Sequence, residues 1–81
     1  MEQYCLAEDL IARDAERSFF DRKGFRVLRF NPSGFAVLRR KLGTRFDYAE
    51  FARACDEEGV STRDARNFWQ KCVDYGVVVS V

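Results

Sequence analysis

The sequence predicts an α+β domain, with short strands in its first third and three helices behind them. Three observations carry that prediction. Apolar residues fall on both faces of a short strand from Phe25 to Phe30, then recur at three- and four-residue intervals from Phe35 onward. Gly24, Pro32–Gly34, Gly43, Gly59 and Gly76 punctuate the chain at regular joints. The composition is 47% hydrophobic with eight Phe, three Tyr and one Trp in 81 residues, enough apolar area for one packed core and too little chain for two.

Leu10–Arg13 is the first strand candidate and Arg17–Arg22 the second, with Phe19 and Phe20 at its centre. Asp21 to Gly24 reads as a turn whose glycine takes the left-handed conformation that hairpin bulges need. The third strand is Phe25–Phe30. Phe25, Val27 and Arg29 point to one side of it and Arg26, Leu28 and Phe30 to the other. Neither face is wholly polar, so this strand should meet something on both sides.

Each helix has readable ends. Asn31 is an N-cap with Pro32 at the first helical position; Phe35, Leu38 and Leu42 form the stripe and Gly43 the stop. Arg39, Arg40 and Lys41 crowd the last turn, where the helix dipole favours cations. Asp47 caps the second helix, Phe46 and Phe51 take the two positions of a hydrophobic staple, and Gly59 ends it. Ser61 caps the third with Asp64 three residues on; Ala65, Phe68, Trp69, Cys72 and Val73 make its stripe, and Gly76 ends it. The valine-rich tail from Val77 to Val81 is β-prone. A three-stranded antiparallel sheet followed by a three-helix cluster, with the last two helices joined as in a helix-turn-helix, is a winged-helix-like arrangement with its strands first. It spans residues 1–81 as one domain.

Chemistry is narrowed mostly by what is missing. The chain has no histidine, so a Ser or Cys nucleophile lacks its usual activator, and no phosphate-loop or dinucleotide fingerprint is present. Cys5, Cys55 and Cys72 are too few and too widely spaced for a disulfide framework or a zinc site, and read as structural thiols. No catalytic residue, metal ligand or cofactor is expected. No stretch is long and apolar enough for a membrane span, no secretory signal is visible, and a cytoplasmic protein with no membrane partner is expected. Net charge is +1 but uneven: residues 1–16 sum to −4, residues 17–45 to +8 and residues 46–81 to −3. A basic middle suits an anionic partner, or is neutralised by the acidic ends.

Binding remains. The third strand, if it lies at a sheet edge, offers free N–H and C=O groups to an extended peptide. The third helix, with Trp69, Arg66 and Lys71, is a candidate wall for a groove beside it, although Trp69 at a stripe position serves equally as core. Two alternatives stay open. Arg63, Arg66 and Lys71 on a helix-turn-helix suit DNA, against which the −3 sum of residues 46–81 argues, so nucleic acid is not expected. The edge strand or the valine tail would also serve a structural adaptor or homodimer.

The order and spacing of several loose motifs resemble the PqqD family. Leu6-Ala7-Glu8-Asp9-Leu10-Ile11-Ala12-Arg13 is similar to the family's opening, Leu28 to Leu38 (Leu-Arg-Phe-Asn-Pro-Ser-Gly-Phe-Ala-Val-Leu) to its central segment, and Asp64-Ala65 with Phe68-Trp69, Cys72 and Gly76-Val77-Val78 to its close. The likeness runs from about Leu6 to Val78. Phe30 stands where the family has leucine, Phe46-Asp47 where it has Thr-Val, and Trp69 and Cys72 where it has leucines. The resemblance implies a small peptide chaperone, a recognition element for ribosomally made, modified peptides. Such a domain binds a precursor's leader peptide as an added strand against the third helix and presents it to a modifying enzyme, often a radical S-adenosylmethionine protein. By position, the implied peptide-binding residues are Arg26, Val27, Leu28, Arg29 and Phe30 on the strand and Arg66, Trp69, Gln70 and Val73 on the helix. Arg29, Arg66 and Lys71 suit acidic leader side chains. A monomer or weak homodimer is expected.

Overall fold

The structure, a computed structural model, describes residues 2–81. Its element order is β1 (Tyr4–Leu6), β2 (Leu10–Arg13), a 3-10 turn at Asp14–Glu16, β3 (Ser18–Asp21), β4 (Arg26–Arg29), α1 (Pro32–Lys41), α2 (Tyr48–Glu57), α3 (Thr62–Asp74) and β5 (Val78–Ser80). The architecture is α+β: three helices and two small antiparallel sheets, one ordered β2-β3-β4 and the other pairing β1 with β5.

The three expected helix caps are made. Asn31 Oδ1 accepts from the Gly34 N–H at 2.7 Å, Asp47 Oδ1 from Glu50 at 2.8 Å, and Ser61 Oγ from Asp64 at 3.2 Å. Gly43, Gly59 and Gly76 take the positive φ angles that end helices. Phe46 and Phe51 stack with centroids 6.4 Å apart, as a staple requires.

Three expectations need correction. The left-handed residue of the β3–β4 turn is Phe25 (φ 51), not Gly24, so Phe25 stands outside the strand and is 83% exposed. The second strand is shorter than Arg17–Arg22 because Arg17 is itself left-handed at the end of the 3-10 turn. The tail forms a second sheet with β1, a strand absent from the sequence reading: Tyr4 faces Ser80, Cys5 faces Val79 and Leu6 faces Val78. Tyr4 also exchanges two backbone hydrogen bonds with Phe46, at 2.7 and 2.9 Å, tying β1 to the start of α2.

The core lies between the sheets and the helices. Phe19, Phe46, Phe51, Leu38, Val37 and Cys55 are fully buried in it. A chain of aromatic contacts links Phe35, Phe19, Phe30, Phe68, Phe51 and Trp69, with centroids 4.9 to 6.0 Å apart at each link. The uneven charge is partly answered within the fold: Arg22 pairs with Asp9, Arg39 with Asp14, and Arg40 with Glu57 and Glu58. These pairs are exposed, so they balance charge more than they add stability.

Candidate functional site

The β2-β3-β4 sheet ends at β4, and β5 pairs elsewhere. Which backbone groups of β4 are open follows from the ladder. The Arg22 N–H donates to the Asp9 carbonyl at 2.9 Å, one step beyond the Leu10–Asp21 pair. Bonded pairs alternate along an antiparallel ladder, so Ser18, Phe20 and Arg22 spend their backbone groups on β2. Phe19 and Asp21 then bond to their partners Leu28 and Arg26. Val27 and Arg29 are left aiming N–H and C=O away from the sheet. Among the described residues no backbone group bonds to them there.

A groove of about 610 Å³ opens beside the end of this edge, between β4, the start of α1 and one flank of α3. Phe30, Phe68 and Val60 give it apolar surface, and Arg29, Asp64 and Lys71 line it with charge. Phe30 and Phe68 meet edge to face at 6.0 Å, which holds the end of β4 against α3. Gly34 permits this: a Cβ there would sit 3.2 Å from Phe68 Cζ and 3.0 Å from the capping Asn31 Oδ1.

Arg26 closes the structure at the other end of β4. Its Nε donates to Asp21 Oδ2 at 3.0 Å and its Nη2 to the Tyr75 carbonyl at 3.0 Å, tying the hairpin to the end of α3. The Arg26 guanidinium holds the Asp21 carboxyl below the usual carboxylate range; the Gly24 and Lys23 N–H groups help, against partial burial. Arg26 is thereby already engaged.

The structure therefore separates the nine residues singled out from sequence. Arg29 and Phe30 line the groove, and Val27 offers open backbone beside them. Leu28 packs half-buried on the core. Arg66, Trp69, Gln70 and Val73 lie on the other flank of α3, about half a turn from Asn67, Phe68, Lys71 and Tyr75. Trp69 packs edge-on to Tyr4, Tyr48, Phe46 and Phe51, with centroids 4.9 to 6.3 Å away, which is a core role. Gln70 bonds Asp74 at 2.9 Å. The groove residues that sequence reasoning did not nominate are chiefly Phe68 and Tyr75. Their only signal was a position beside Lys71 on the same helix edge.

The groove offers recognition surface and little reactive chemistry. Cys72 borders it, but burial, with the neighbouring Cys55 adding to it, pushes its thiol up to about 12. Among the described residues no three His, Cys, Asp or Glu side chains gather where a metal ion would sit, and no helix is long and apolar enough to cross a membrane. Comparison with models of known protein families, with curated proteins and with solved structures finds no match for this chain.

Proposed function

We propose that the domain binds an extended peptide by strand addition to β4 and presents it to a modifying enzyme. The carrying observation is the vacant edge: Val27 and Arg29 turn four backbone hydrogen-bonding groups outward next to a groove of mixed apolar and charged lining. Magnitudes say why both parts are needed. Four hydrogen bonds at about 1 kcal/mol net each total about 4 kcal/mol, no more than the lower range of association costs. Backbone pairing alone would not hold a peptide, so side chains seated in the groove must supply the surplus.

The PqqD-like motifs support the same reading and sharpen it. The guest is then the leader of a ribosomally made precursor, the receiver a radical S-adenosylmethionine maturation enzyme, the arrangement winged-helix-like and the setting cytoplasmic, with neither cofactor nor nucleic acid required. A homodimer keeps one specific observation in its favour: β5 lies at the edge of the second sheet, with Val79 exposed on it and Val81 exposed just beyond it.

Proline substitution tests the mechanism. Val27 has an outward N–H, so Val27→Pro removes a donor the fold does not use, whereas Leu28→Pro removes one that β3 needs. Val27→Pro should fold and lose at least tenfold in affinity for peptides selected by display against the unaltered domain. Undiminished binding by a folded Val27→Pro variant would rule out strand addition at this edge.

A further inference from the structure

We infer that the peptide accepted by β4 carries an acidic residue opposite Arg29 and an apolar residue opposite Val27. The inference rests on the strand-addition reading and extends it to a rule about guest sequence.

Residues directly opposed in a ladder share a face, so each cross-strand row continues into an added strand. Ile11, Phe20 and Val27 form one row. Ile11 is 45% and Val27 41% exposed, so this apolar row lies open and stops at the vacant edge. A guest side chain placed next to Val27 extends apolar surface that is otherwise cut off. The adjacent row is Arg13, Ser18 and Arg29. Arg13 is held by Glu16 at 2.9 Å, and Arg26, on the opposite face, by Asp21 at 3.0 Å. Among the described residues, Arg29 alone of the strand arginines has no carboxylate within 4.0 Å. Ser18, between the two arginines, is buried with its hydroxyl unbonded and gives Arg29 no acceptor. The unanswered cation thus stands last in its row, beside the position a guest residue takes.

Antiparallel pairing is the slightly stronger orientation, and β2, β3 and β4 already alternate in direction. An antiparallel guest meets Arg29 first and Val27 two residues later. It therefore reads acidic, then any groove-compatible residue, then apolar, from N- to C-terminus. The middle side chain falls on the Leu28 face, the side on which Phe30 meets Phe68.

Three short synthetic peptides test the rule, with Glu-Leu-Val, Lys-Leu-Val or Glu-Leu-Lys at the centre of one Thr- and Ser-rich frame. Each is titrated against the labelled domain with backbone amide shifts as readout. Glu-Leu-Val should shift the Val27 and Arg29 amides, and each Lys-bearing peptide should bind roughly fivefold more weakly. Arg29→Glu should invert the preference between the first two. Arg45→Glu, which removes the same charge outside the groove, should leave that preference in place. If the peptides shift those amides with equal affinity, or Arg29→Glu leaves the preference unchanged, the rule fails while strand addition stands. If none of the three shifts the Val27 and Arg29 amides, strand addition itself fails and the rule with it.

Discussion

Phe25 is the residue whose placement is hardest to account for by stability. It is non-glycine, held at φ 51, and 83% exposed, so it contributes strain without burial. A left-handed backbone costs an ordinary residue about 1–2 kcal/mol, which a glycine does not incur. Phe25→Gly should therefore raise stability by about 1 kcal/mol in chemical denaturation, after allowing for the freer unfolded chain. A loss of stability would mean that the ring makes contacts its exposure does not suggest. Gly24, the residue the sequence nominates for this conformation, is one position early. The Asp21 side chain explains the shift: it accepts from the Lys23 and Gly24 N–H groups at 3.0 and 3.3 Å and fixes those residues in the turn, so the reversal falls at Phe25.

At the scale of elements, the helices are local objects. Each cap reaches only three residues ahead, so Asn31, Asp47 and Ser61 could be read directly from the sequence. Asp47→Ala should cost about 1 kcal/mol of unfolding free energy, since the Glu50 N–H loses its acceptor. Thermal melting that leaves the midpoint unchanged would show that water replaces the cap at no cost. Longer-range placement left weaker traces. β1 is three residues long and its partner lies at the far end of the chain, so no period announces the pairing. The stripe of α3 identified its buried face through Ala65 and Cys72, but a stripe does not say which polar flank turns toward a sheet. That depends on how the helix crosses β4, which the Phe30–Phe68 contact and the Arg26 tie to Tyr75 settle. Hence Arg29 and Phe30 fall on the groove, while Arg66, Trp69, Gln70 and Val73 fall on the other flank of α3.

The whole molecule is a small core between the sheets and the three helices, and its thiols report on that core. Cys55 and Cys72 are buried with their thiols pushed up, Cys72 to about 12, whereas Cys5 on β1 is only half-buried. Near pH 8 a thiol reagent should modify Cys5 first, with Cys55 and Cys72 reacting only as the domain unfolds. Rapid native-state modification of all three would show that the core opens readily. The same rigidity serves the edge. Strand addition needs β4 held flat and fixed against α3, and the fold anchors it at both ends, through Arg26 to Tyr75 and through Phe30 to Phe68. The β1–β5 pairing matters for the same reason, because it keeps the C-terminal strand engaged away from β4.

Hydrogen exchange at single amides reads that edge most directly. In the free domain the Val27 and Arg29 amides should exchange quickly while Leu28, bonded to Phe19, exchanges slowly; a bound peptide should slow the first two and leave the third. Val27 and Arg29 amides protected before any peptide is added, or unprotected after one binds, would contradict a vacant edge that receives a strand.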